Sequence, residues 1–330
     1  MGVRVSAPGA AHDPYPESSA ARDAWITARR PPRNVVTSGR AYGAFVEDEV
    51  DGRGALRNVA TLLLSNRECP YKCLMCDLWK NTLEHTVPPG AIRTQIDAVL
   101  AVTPPAQVVK LYNAGSFFDT KAILPGDFEA IAERLSSFER VIVECHPALV
   151  GPSVQRFAAM LAGTLEVAMG LEVADDRILD LLNKRMTLAM YSDAATRLAA
   201  MGVDHRAFVL VQPPFVAAHD AVRSAVATTK YAFTHGATAV SLIPVRGGNG
   251  ALDALAAVGN FAEPTLATFE DTHDAALALG AGRVFADTWD LGRFSSCDEC
   301  FADRGGRIRA LNVTQRVAPR VTCVQCGEGA

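Results

Sequence analysis

The sequence predicts an α/β protein: a full or partial (β/α) barrel followed by a small C-terminal extension that carries four cysteines. Two observations support this. From Asn58 onward short, continuous apolar runs alternate with amphipathic stretches, and after about Leu291 the alternation stops and two C-x2-C pairs follow. Continuous apolar strands separated by helices imply a parallel sheet covered on both faces, and six or seven such units curl into a barrel. A chain of 330 residues, 49% hydrophobic, is long enough to bury that core.

Taken in order, residues 1–33 read as a flexible arm, with Pro8, Pro14, Pro16, Pro31 and Pro32 and no periodicity. Within the barrel segment, 34–290, the strand-like runs are Val59–Leu64, Gln107–Leu111, Arg140–Val143, Leu165–Leu171, Ala207–Val211, Ala239–Ile243 and Arg283–Ala286. Between them Ile92–Val102, Pro125–Leu135, Ser153–Leu161, Tyr191–Met201, Asp220–Thr234 and Thr265–Leu279 read as helices. Residues 291–330 form the four-cysteine extension, and no internal repeat is visible.

A net charge of −4 argues against a chain that coats nucleic acid or membrane non-specifically. The N-terminal segment lacks the apolar centre of a signal peptide, and no stretch approaches the length of a membrane span. The expectation is a cytoplasmic protein without a membrane partner, whose eight cysteines meet a reducing milieu where clustered thiols bind metal more often than they pair.

Cys69, Cys73 and Cys76 form a C-x3-C-x2-C triplet. An odd trio leaves one thiol unpaired by disulfides, but three thiolates can cap three irons of a [4Fe–4S] cube and leave the fourth iron open. The competing readings are a zinc knuckle short of its fourth ligand and three unrelated buried cysteines. No His or Cys follows within the next eight residues, His85 being the nearest, which disfavours a closed zinc site.

In a barrel of this kind chemistry collects where strands run into their following loops. Those positions hold the cysteine loop, Asn113-Ala-Gly115-Ser116, Glu144-Cys145-His146, Glu172, Gln212-Pro-Pro214, Arg246-Gly-Gly-Asn-Gly250 and Asp287-Thr-Trp289-Asp290. Gly115 lets backbone approach a ligand closely. Strand alternation puts Glu144 and His146 on one side and Cys145 on the other, as a packed thiol. Glu144, if it faces the barrel, needs a polar partner such as a ribose or an ammonium group.

On the triplet, with Glu68-Cys-Pro before it and Cys76-Asp-Leu-Trp79 after it, the chain resembles the radical SAM (S-adenosylmethionine) enzymes. Gly115-Ser-Phe-Phe-Asp119, Val143-Glu-Cys-His-Pro147, Met169-Gly-Leu-Glu-Val173 and Asn183-Lys-Arg-Met-Thr187 resemble the branch with the elongator catalytic subunit and the radical SAM subunit of archaeosine synthase. The resemblance runs from about Arg67 to Gly248. It implies a [4Fe–4S] cluster on Cys69, Cys73 and Cys76 and SAM as cofactor. It further implies reductive cleavage of SAM to a 5′-deoxyadenosyl radical, with a reductase, flavodoxin or ferredoxin as electron donor, and hydrogen abstraction from a substrate. Met75 stands where the family usually has an aromatic residue on adenine. Ser116 replaces the glutamate of its Gly-Gly-Glu segment, so SAM's amino group would fall to Asn113 and the backbone around Gly115 and Ser116. Glu172 would meet the SAM ribose or amino group, and Arg246 suits the SAM carboxylate or an anionic substrate.

Cys297, Cys300, Cys323 and Cys326 supply four thiolates in two pairs, enough for a zinc ion or an auxiliary iron–sulfur cluster. Arg304, Arg307, Arg309, Arg316 and Arg320 lie between the pairs, with Trp289 and Phe294 nearby. They fit either a phosphate-binding lobe, hence a modified tRNA nucleoside as substrate, or a zinc-stapled cap with a solvated surface. The acidic balance favours a small metabolite. A non-catalytic iron–sulfur or zinc scaffold is the alternative of another class.

Overall fold

A computed structural model describes residues 14–327; the first part of the expected arm, 1–13, lies outside the described residues. Eight strands form one sheet in the order β1 to β8. They are β1 Gly43–Val50, β2 Leu56–Leu63, β3 Val108–Tyr112, β4 Arg140–Glu144, β5 Thr164–Glu172, β6 Asp204–Val211, β7 Ala239–Pro244 and β8 Arg283–Ala286. The helices are α1 Ser19–Ala28, α2 Ala91–Leu100, α3 Phe128–Arg134, α4 Pro152–Met160, α5 Asp176–Leu181, α6 Leu188–Ala200, α7 Ala221–Thr234, α8 Ala251–Ala257, α9 Leu266–Leu277 and α10 Asp298–Thr314.

The seven runs expected as strands are β2 to β8, and each pairs in parallel with the next. Parallel strands of this length need a crossover, which the intervening helices supply. β1 was not expected and pairs antiparallel to β2. No ladder joins β8 back to β1 among the described residues, so the barrel is near-closed.

Alternation along the strands divides the interior. Ala60, Leu62, Val109, Leu111, Val141, Val143, Val167 and Met169 face outward into the core beneath the helices. Val59, Val108, Ile142 and Ala168 face the lumen with Tyr112 and Phe208. The lumen also carries buried ion pairs toward the strand starts. Arg206 bonds Glu49 at 2.9 Å and Glu166 at 2.7 Å, and Arg140 bonds Glu166 at 2.6 Å. Burial works to raise Glu166, but the surrounding arginines outweigh it and hold its carboxyl at about 2.

Beyond β1 and the short helix α8, the two ends of the chain differ from expectation. Residues 14–33 contain α1, tied down by Arg22 Nη1 to Asp180 Oδ2 at 2.9 Å, by Asp23 to Arg185 at 2.7 Å, and by Tyr15 Oη donating to the Leu181 carbonyl at 2.7 Å. Proline content pointed to an arm without structure; long-range polar contacts won. The extension, expected as a metal-bound tail, contains the seventeen-residue helix α10. Among the described residues no helix is long and apolar enough to cross a membrane.

Candidate active site and cysteine centres

After β2 the chain forms a loop closed by a parallel bridge between Arg67 and Leu83. It carries Cys69, Cys73 and Cys76 as free, partly buried thiols. Burial pushes them up, Cys69 to about 11 and Cys73 and Cys76 to about 12, and outweighs the lowering by Lys184 and by backbone amides of the loop. The loop is held from outside. Asn249 Nδ2, after β7, donates to the Leu74 carbonyl at 2.8 Å and the Cys76 carbonyl at 3.3 Å. Asn183 Nδ2, after β5, donates to the Lys72 carbonyl at 2.8 Å, and the Leu74 amide donates to the Leu182 carbonyl at 2.9 Å. Arg30 at 2.7 Å, Arg33 and Lys72 converge on Glu68. Burial would raise its carboxyl, but these three donors hold it at about 2.

The expected rim residues gather beside that loop. A side chain at Gly115 would put its Cβ 3.2 Å from Cys69 Cβ, a tight contact that glycine spares where the β3 end lies against the cysteine. Ala114 sits in the left-handed region at φ 52°. Asn113 is fully buried, with neither Oδ1 nor Nδ2 partnered. A buried amide in that state is costly unless a ligand completes it. Ser116 Oγ accepts from the His146 amide at 2.7 Å, and Glu144 Oε2 accepts from the Asn113 amide at 2.9 Å. Glu144 shares the lumenal face of β4 with Ile142, and burial lifts its carboxyl to about 7. Cys145 packs in the outer core.

Glu172 ends β5 at φ 66°, at a register shift against β6, and is buried against Lys184 Nζ at 2.5 Å. Gly170 makes room for this pair: any Cβ there would collide with both charged ends. Burial works against the Lys184 charge, but Glu172 and then Cys73 raise its pKa above the ordinary range. His146 Nε2 donates to the Lys184 carbonyl (3.1 Å), and the ring stacks on Tyr71 of the cysteine loop with ring centroids 4.1 Å apart. Burial drops its pKa to about 3, which keeps the ring neutral. Met75 packs against the outer core.

Arg246 does not point an open guanidinium at the rim. It pairs with Asp287 at 2.9 Å, donates to the Trp289 carbonyl and covers the Phe294 ring. Asn183, Lys184 and Asn249 had no assigned role, although the stretches that contain them stood out in the sequence. For Asn183 and Lys184 the advance signal was the 183–187 stretch itself, between α5 and α6; for Asn249 it was position in the loop after β7.

The donor set fits a [4Fe–4S] cluster. Three thiols come from one loop with no imidazole or carboxylate among them, and they are not drawn together as ligands of a single ion are. The one group of ligands drawn together in that way, among the described residues, is Cys297, Cys300, Cys323 and Cys326.

A near-closed (β/α) barrel with this cysteine loop at the end of its first parallel strand defines the class: the chain resembles the radical SAM enzymes in fold and in motif. In sequence it is similar to archaeosine synthase subunit beta of Methanosarcina acetivorans, 28% identical over 239 residues that cover 68% of each chain. The same subunit of Thermococcus kodakarensis is 31% identical over 124 residues, 36% of this chain and 38% of that one. Methanocaldococcus infernus Elp3 with its N-terminus deleted superposes with a TM-score of 0.52 over 81% of this chain and 65% of that one; at 13% identity this likeness concerns the fold. No protein-family model matches the chain.

Proposed function

We propose that the chain is a radical SAM enzyme that abstracts hydrogen from a modified nucleoside of tRNA. The observation that carries the enzymatic reading is the cysteine loop: three free thiols, clamped from two other strand ends, against a glycine and beside a buried amide with no partner. A cluster held by Cys69, Cys73 and Cys76 with SAM bound supplies one-electron cleavage of the sulfonium to a 5′-deoxyadenosyl radical. The chain's own residues position and shield. Asn113 and the backbone at Gly115 and Ser116 receive SAM's amino group, Met75 packs on adenine, and Glu144 and Glu172 take the ribose hydroxyls or the ammonium. Lys184 offsets the negative charge of the thiolates next to it. Residues 34–290 form the catalytic barrel, 1–33 and 291–330 are its appendages, and the setting is cytoplasmic, with a flavodoxin, ferredoxin or reductase as donor.

The nucleoside substrate draws its support from the two relatives named archaeosine synthase subunit beta. One observation favours a second reading, a small metabolite. Of the five tail arginines that suggested phosphate binding, three are engaged with acids of α9: Arg304 and Arg307 with Glu270, Arg307 with Asp274, and Arg320 with Asp271 and Asp274. Paired cations attract phosphate weakly.

Anaerobic reconstitution with iron and sulfide, then dithionite and SAM, tests the enzyme. 5′-Deoxyadenosine is expected, and its absence from a cluster-loaded sample supports the scaffold alternative. A deletion strain compared by tRNA-nucleoside mass spectrometry and metabolite profiling separates the substrates: a lost tRNA base supports the nucleoside, an accumulated metabolite the other.

A further inference from the structure

The tail cysteines lie closer together than an iron–sulfur cluster would leave them. Cys297 Sγ is 4.0 Å from Cys323 Sγ, Cys300 Sγ is 3.8 Å from Cys326 Sγ, and all four sulfurs fall within 4.8 Å of one another. Four thiolates around one zinc ion, at Zn–S of about 2.3 Å, sit at the corners of a tetrahedron with edges of about 3.8 Å. In a [4Fe–4S] cluster each thiolate binds its own iron, and in a [2Fe–2S] cluster each iron takes two; bridging sulfides hold the irons apart, so thiolates on different irons spread well beyond contact and the four cannot all lie together. A disulfide needs its sulfurs at about 2.05 Å. None of the four cysteines forms a disulfide.

The surroundings suit a closed, structural ion. Cys297 is the N-cap of α10 and Cys300 lies in its first turn, where unpaired amides and the helix dipole favour negative charge. Cys297 and Cys300 are buried, and Val321 packs on the group.

We infer that Cys297, Cys300, Cys323 and Cys326 bind one zinc-type divalent ion in a tetrahedral site, and that this ion fastens α10 over the open edge of the barrel. The far end of α10 shows what is being fastened. Asn312 accepts from the Ala286 amide at 2.7 Å and donates to the Ala286 carbonyl at 2.8 Å. Gln315 does the same for Val284, at 2.7 and 2.9 Å. Two side-chain amides thus stand in for the missing neighbour strand of β8, whose edge would otherwise offer bare amides and carbonyls to another chain. Between these two ends, Arg307 donates to the Ala318 carbonyl at 2.6 Å and the Pro319 carbonyl at 2.9 Å, folding residues 318–327 back so that the second cysteine pair reaches the first. The quartet takes no part in electron delivery on this reading, which does not depend on the radical SAM assignment.

Metal analysis of the full chain tests it. About one zinc per chain is expected in aerobically purified protein, retained when the Cys69→Ala, Cys73→Ala, Cys76→Ala triple variant removes the iron. Cobalt loaded into that triple variant is expected to give the thiolate charge-transfer and d–d bands of a tetrahedral all-sulfur site. Cys300→Ser is expected to lose the zinc, keep the cluster's iron and speed hydrogen exchange at β8. If the triple variant reconstitutes with iron and the absorbance of a cluster, or if all its tail thiols titrate freely without metal, the inference is overturned. Zinc retained by Cys300→Ser together with unchanged exchange at β8 overturns the fastening role.

Discussion

Replacing Asn249 by alanine removes a buried side chain that joins the loop after β7 to the cysteine loop; an exposed link, Lys80 to the Gly248 carbonyl at 2.8 Å, remains. Asn249 is 2% exposed. Its Nδ2 serves two loop carbonyls, at 2.8 and 3.3 Å, while its Oδ1 accepts from the Leu252 amide at 2.8 Å in the first turn of α8. Each bond contributes about 0.5–1.5 kcal/mol net, and a buried carbonyl left without a partner costs about 1–3 kcal/mol. The longer bond, to Cys76, contributes least, so the expected loss is about 2–4 kcal/mol in urea unfolding of metal-free protein. Asn249→Asp separates the two halves of the clamp: it keeps the acceptor for Leu252 but sets a carboxylate against the two carbonyl oxygens. Both variants are expected to bind less than half the wild-type iron after reconstitution, with Asn249→Asp retaining α8. If Asn249→Ala loads iron like wild type and loses under about 0.5 kcal/mol, the loop is not held from β7 and the reasoning fails.

Lys184→Met leaves Glu172 buried and unpaired and is expected to cost about 3–5 kcal/mol in the same unfolding assay; adding Glu172→Gln should recover part of it, and a merely additive double variant would refute the coupling. Glu144 titrates at about 7 in the folded chain against an ordinary 4.5, so the native state holds an extra proton between those values and its contribution to stability falls as pH rises through that window. His146, lowered to about 3, acts oppositely, its contribution falling as pH drops below 6.5. The stability of wild-type protein minus that of Glu144→Gln, both metal-free, should therefore decline from pH 4.5 to 7, and a flat difference would show that Glu144 is not held neutral.

The seven parallel strands were legible because burial on both faces leaves nearly unbroken apolar runs, such as Val141 to Val143. β1 was not, since Glu47 and Glu49 look like solvent-facing residues until Lys110 and Arg206 are seen across the lumen. α10 hid behind its cysteines and the Gly305-Gly306 pair. The triplet was readable because three thiols in eight residues are a local pattern. The clamps of Asn183 and Asn249 are not local: each asparagine lies more than a hundred residues from the carbonyl it holds. Arg246 was expected to suit the SAM carboxylate or an anionic substrate, and in this structure its guanidinium pairs with Asp287.

The helix α1 has partners that are made late in synthesis. Asp180, Leu181, Asn183 and Arg185 follow it by some 160 residues, and Gly250, whose lack of a side chain admits the Arg29 carbonyl, by more than two hundred. Contacts of such separation form after the local ones. Helix α1 is therefore expected to dock after the local elements it packs on have formed. Pulse-labelled refolding should show α1 amides protected after those of β6. Early docking would contradict this order. Order of assembly, and not geometry alone, then decides when the segment beside the cysteine loop becomes covered.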